Sequence, residues 1–169
     1  MKKTAIIDET GKYRYLLTRI WDESNPPAVF IMLNPSTADA EQDDPTIRRC
    51  IDFARRWDCG GIRVVNVFAF RATDPKELCK AKDPVGPKNY EYIKEALTSA
   101  GIVIAAWGAA GPKMPQAYKK VFEAAEEIDT MIIHCLGCTK SGHPRHPLYL
   151  SKAIMPKQMT GKYGNGSYI

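Results

Sequence analysis

A chain of 169 residues, 44% of them hydrophobic, holds enough apolar material for one ordinary core and too little for two, so one domain spanning residues 1–169 is expected. No segment approaches the roughly 20 apolar residues of a membrane span, and the opening MKKTAIIDETGKYRY turns polar before a signal-type run develops, so a cytoplasmic protein with no membrane partner is expected. Five irregularly spaced cysteines suit a reducing compartment rather than a disulfide framework, and a net charge of +5 is compatible with a polyanionic partner, DNA or a nucleotide, without demanding one.

Tyr13 to Trp21, YRYLLTRIW, is rich in aromatic and β-branched residues and reads as a strand or hairpin arm, broken by Ser24-Asn25-Pro26-Pro27. Ala28 to Leu33 is the first continuous apolar strand, followed by the polar loop Asn34-Pro35-Ser36-Thr37. Asp44-Pro45 then offers an N-cap and a first-turn proline. Ile47, Cys50, Ile51, Ala54 and Trp57 keep helical spacing as far as Gly60-Gly61, and Arg48, Arg49, Arg55 and Arg56 occupy the remaining surface. A solvated basic face is the simpler reading of those arginines, and phosphate contact is the sharper one. Ile62 to Phe70 is a strand with one amide, Asn66, inside it. A helix begins near Pro87 and stops at Gly101, with Tyr90, Ile93 and Leu97 on one face. Ile102 to Ala106 is a short buried strand ending in Trp107-Gly108. The next helix buries Tyr118, Val121, Phe122 and Ala125, and Thr130 to Leu136 makes the last strand. The tail from Met159 to Ile169 is Gly-rich and polar, which is expected to make it partly mobile.

Apolar strands alternating with amphipathic helices predict an α/β fold, a three-layer sandwich with a mostly parallel central sheet and helices on both faces. In such sheets ligands bind at the carboxyl ends of the strands. The loops expected there hold Asn34, Pro35, Ser36 and Thr37, then Asn66 with Phe68 and Phe70, then Trp107 and Gly108, and finally Thr139 to Pro147 with His143 and His146. A buried Asn66 must be bonded, either to a loop backbone or to the edge of a planar ligand, because an amide offers a donor beside an acceptor. A histidine in a proline-restricted loop can donate to charge developing on a leaving group. Cys135-x-x-Cys138 followed by His143-x-x-His146 also admits a zinc reading, against which Cys135 lies in an apolar strand where a thiol is ordinary core; no metal and no cofactor is expected. Nucleophile-elbow, Walker and dinucleotide motifs are absent from the sequence. No obligate protein partner is evident.

The strings LNPSTAD, DDPTIRRC and TKSGHPRHPLY resemble the signature of the bacterial and phage family called domain of unknown function 1643, over most of the chain. The order of the motifs also resembles the uracil-DNA glycosylase superfamily, at Leu33-Asn34-Pro35, Val64-Val65-Asn66, Ala105-Ala106-Trp107-Gly108 and His143-Pro144 or His146-Pro147. That resemblance implies a glycosylase-like fold and cleavage of an N-glycosidic bond, with Asn34 positioning water, Asn66 reading the base edge and His146 or His143 bonding the developing anion. It implies stacking by Phe68, Phe70 or Tyr149, and phosphate contacts from Ser36, Thr37, Lys140 and Ser141. Asn34 cannot act as a general base, so Asp39, Asp43 or Asp44 is expected to assist unless catalysis leans on the leaving group. The rival readings are a non-catalytic nucleic-acid or modified-base binding protein and a hydrolase of free nucleotides.

Overall fold

The structure, a computed structural model, describes residues 1–36, 38–109, 114–128 and 132–159. Its centre is β3 (Ala28–Met32), buried at every position as its unbroken apolar sequence requires. β4 (Gly61–Asn66) and β5 (Ile102–Ala105) flank it in parallel, and β6 (Ile133–Cys135) adds a further parallel strand beside β5. β1 (Lys2–Ile7), β2 (Arg14–Ile20) and β7 (Lys157–Gln158) complete a seven-stranded sheet in the order β1-β2-β4-β3-β5-β6-β7.

The sheet is mixed, which corrects the expectation of a mostly parallel one. β1 with β2, β2 with β4 and β6 with β7 are antiparallel pairs, as many as the parallel ones. The reason at one edge is chain length. The turn from Asp8 to Tyr13, closed by the Asp8 carboxylate accepting from the Tyr13 amide at 2.8 Å, is far too short for a parallel crossover. β1 escapes the sequence pattern because Lys2, Lys3 and Thr4 are exposed, as suits an edge strand. β7 follows the strand expected to be last; of that strand, Thr130 and Met131 lie outside the described residues, as do residues 160–169 of the tail.

Strand alternation distributes two cores. Ala28, Phe30 and Met32 face α1 (Pro45–Arg56), meeting its Ile47, Cys50, Phe53 and Ala54. Val29, Ile31 and Leu33 face α2 (Asn89–Thr98) and α3 (Pro115–Glu126) on the other side. α1 starts where expected: Asp44 caps it, accepting from the Ile47 amide at 2.8 Å, and Pro45 takes the first helical position. It ends before the glycines, as Asp58 adopts a left-handed conformation, φ 58°, that aspartate tolerates. Its arginines are partly used within the fold: Arg49 lies 4.9 Å over Phe53, Arg55 lies 5.0 Å over Trp21, and Arg48 donates to the Asp43 carbonyl. Among the described residues no helix is long and apolar enough to cross a membrane.

Candidate functional site

From β3 the chain passes through α1 to β4 on one side, whereas β5 and β6 lie on the other side of β3. This reversal opens a crevice beyond the carboxyl end of β3, the position where open α/β sheets bind ligands. A cavity of about 310 Å³ occupies it, within the roughly 300–1,000 Å³ typical of small-molecule sites. Met32, Val64 and Ile47 form apolar wall, Asn34 and Ser36 come from the loop after β3, Asp44 and Thr46 from the start of α1, and Trp107, Gly108 and His146 from the far side.

Asn66, at the last position of β4, is 1% exposed, and among the described residues neither its side-chain nitrogen nor its oxygen has a hydrogen-bond partner. Strand alternation puts it on the α1 side with Ile62 and Val64. Its main chain is held from behind by Asn89, whose side-chain nitrogen donates to the carbonyls of Asn66 at 2.9 Å and Val67 at 3.1 Å. A buried amide left unpaired costs on the order of 1–3 kcal/mol, so the position is retained at a stability cost.

Arg14 enters the cavity by a backbone irregularity. Ile6 pairs with Leu16 but Ile7 pairs with Arg14, leaving Tyr15 as the extra residue of a β-bulge. Leu16 and Tyr15 both turn to the α2 side, Tyr15 stacking on Tyr92 at 5.1 Å, and Arg14 is thereby moved to the α1 side. It is 3% exposed, its Nη1 donates to the Ala38 carbonyl at 2.6 Å, and its Nε is buried without a partner among the described residues. Burial pulls its pKa down to about 10, against the opposing field of Asp44.

His146 follows the same logic of burial. Its pKa is held below the ordinary histidine value by desolvation, which outweighs the attraction of Asp44. Nδ1 accepts from the Leu148 amide at 3.3 Å, so the neutral ring carries its proton on Nε2 and presents a donor. The loop bearing it is tied to the end of β5, because the Gly108 amide donates to the Pro144 carbonyl at 2.9 Å. Gly108 has φ +72°, and a Cβ there would stand 3.7 Å from that of His146, so the backbone angle rather than space favours glycine. Asn34 anchors the opposite wall: its side-chain nitrogen donates to the carbonyls of Ala72 at 2.7 Å and Pro35 at 3.1 Å, which leaves Oδ1 as its acceptor for a ligand.

Of the residues singled out in the sequence, Asn34, Ser36, Asp44, Asn66, Trp107, Gly108 and His146 come together at the cavity. Pro35 serves the loop, its carbonyl accepting from the Ala72 amide at 3.0 Å. Phe68 is core, edge-on to Tyr118, and Phe70 packs edge-on to Tyr13. Tyr149 is 89% exposed. His143, Lys140 and Ser141 belong to a turn outside the cavity lining, where the Thr139 hydroxyl accepts from the His143 amide and lies 3.0 Å from that of Ser141. Asp43 pairs with Arg19 at 2.8 Å. Asp39 accepts from the amides of Gln42 and Glu41, bonds that lower its pKa. Thr37 lies outside the described residues. The Sγ atoms of Cys135 and Cys138 are 3.9 Å apart, but among the described residues no three histidine, cysteine or acidic side chains converge as a metal site.

Arg14, Thr46 and Asn89 were not singled out in the sequence. Arg14 gave a signal, being one of two cations in a mainly apolar strand, but the bulge that aims it has no sequence signature. No curated protein and no solved structure matches the chain. The family model described as "Protein of unknown function (DUF1643)" matches residues 14–148, a span that begins at Arg14 and includes every residue lining the cavity. The chain belongs to that family.

Proposed function

We propose that the protein is a uracil-DNA glycosylase-like hydrolase that cleaves the N-glycosidic bond of a pyrimidine, modified or not, in DNA. The observation that carries this reading is the buried side-chain amide of Asn66, without a partner among the described residues, at the wall of a cavity of about 310 Å³. A donor and an acceptor fixed side by side match the edge of a planar base, and Met32, Ile47 and Val64 can flank the ring.

In the proposed reaction the C1′–N bond breaks with its electron pair passing to the base, and a water oxygen bonds to C1′. Asn34 Oδ1 orients that water. Asp44, the aspartate of the cavity, receives the water's proton through the oxygen that does not cap α1. The Nε2–H of neutral His146 donates to the base anion as it forms, an interaction absent from the ground state and therefore of catalytic value. A second reading, a base-binding protein that does not cut, is favoured by the commitments already made on this wall: one Asp44 oxygen and the Asn34 nitrogen are bonded to the fold.

An alkali-cleavage assay on oligonucleotides carrying uracil, hydroxymethyluracil, modified cytosines or deaminated purines separates them. Abasic sites made by the wild type and not by Asn34→Ala or Asn66→Ala are the expected result. Binding of a modified strand without any cleavage would refute catalysis and leave the reader.

A further inference from the structure

Two arginines of β2 are buried to a similar depth and treated differently by the fold. Arg19, 0% exposed, is bonded on all sides: Nε donates to Asp43 Oδ1 at 2.8 Å, Nη1 to the Thr18 carbonyl at 2.9 Å and Nη2 to the Asp39 carbonyl at 2.6 Å. Arg14, 3% exposed, makes one side-chain bond among the described residues, from Nη1 to the Ala38 carbonyl. Among the described residues it forms no ion pair, and its buried Nε has no partner. Nε–H and one Nη2–H project from the same edge of a guanidinium, so the unfilled edge is a fork that asks for two acceptor oxygens in parallel.

We infer that the Nε/Nη2 edge of Arg14 grips a phosphate group of a nucleotide whose base lies in the same cavity. The inference rests on the nucleobase reading above only for where the remainder of the ligand sits. A neutral carbonyl would satisfy one arm of the fork; an oxyanion satisfies both and compensates the buried charge. A nucleobase carries no such group of its own, whereas its nucleotide does. The wall beside Arg14 suits phosphate as well. The first turn of α1 brings the positive end of the helix and the Thr46 hydroxyl, and Ser36 adds a second hydroxyl. Asp44 is the opposing charge on this wall, and its Oδ1 is already taken up by the Ile47 amide. The phosphate can belong to a free nucleoside monophosphate or to a DNA strand, since both present the same oxygens.

The test follows the Arg14 Nε–H resonance of nitrogen-15-labelled wild-type protein during additions of 2′-fluoro-deoxyuridine, its 5′-monophosphate, and a single strand carrying that residue. The fluorine slows hydrolysis by opposing the oxocarbenium-like sugar. Expected is a shift of Nε–H with the monophosphate or the strand and not with the nucleoside. The phosphorylated probe should bind about tenfold more tightly or better, a preference lost in Arg14→Lys, whose ammonium keeps the charge without the fork. A response to the monophosphate alone names the free nucleotide, and one to the strand alone names DNA. No Nε–H shift with either, or a shift equal for nucleoside and nucleotide, overturns the inference. Asn66→Ala, run beside them, separates the two readings. If it leaves all affinities unchanged while the Arg14-dependent preference persists, the base-reading role fails and the phosphate contact stands. If it weakens every probe while no preference depends on Arg14, the reverse holds.

Discussion

Replacing Asn66 with leucine should make the protein more stable while destroying its site. Most substitutions at a fully buried position cost about 1 kcal/mol or more. Here the wild-type residue is itself the liability, because both polar atoms of its side chain are buried without a partner among the described residues. Leucine has nearly the same length, removes a desolvation penalty of roughly 1–3 kcal/mol, and adds apolar contact with Met32 and Val64, which line the same cavity. For a chain of 169 residues each kcal/mol corresponds to about 2–4 °C in melting temperature, so a rise of several degrees is expected in calorimetry, with the urea midpoint moving the same way. Abasic-site formation and nucleotide binding should both be lost. A fall in melting temperature of several degrees would refute the reasoning: it would mean that the amide is bonded in the native state and serves the fold rather than a ligand.

His146→Asn removes the Nε2–H donor in its proposed position and should lower the rate constant for base excision by roughly 10²–10³ at saturating substrate. The same variant tests the pKa in a stability measurement. The folded histidine titrates below the unfolded value of 6.5, so the unfolded chain binds the proton first as pH falls. The wild type therefore loses stability between 6.5 and the lower folded value, at up to about 1.4 kcal/mol per pH unit. His146→Asn should flatten that segment of the stability–pH curve; an unchanged slope would remove the burial argument. Asp43→Ala should cost about 3–5 kcal/mol in urea unfolding, because it strips the carboxylate from the fully buried Arg19. A loss below 1 kcal/mol there would show that the carbonyls around Arg19 suffice.

The parts of this protein legible in its sequence are those set by local physics. The unbroken apolar run of Ala28 to Met32 read as an interior strand and Asp44-Pro45 as a helix start, and their succession put Asn34, Asn66, Trp107 and the His-Pro loop at the carboxyl ends of the strands. The family was legible too, in strings such as LNPSTAD and TKSGHPRHPLY. What the sequence left open depended on pairings between distant segments. Whether β1, β2 and β7 run with or against their neighbours is decided by connection length and edge position, and β1 shows no apolar alternation strong enough to announce it. Of three nearby aspartates, only tertiary structure sends Asp43 to Arg19 and Asp44 to the cavity, while Asp39 takes up the amides of its own loop. Two histidines three residues apart were equivalent in sequence; the tie between Gly108 and Pro144, with the bond from Leu148 to His146 Nδ1, distinguishes them. The turning of Arg14 to the α1 side belongs to this second kind, since a bulge is a mismatch between two strands and is visible in neither strand alone.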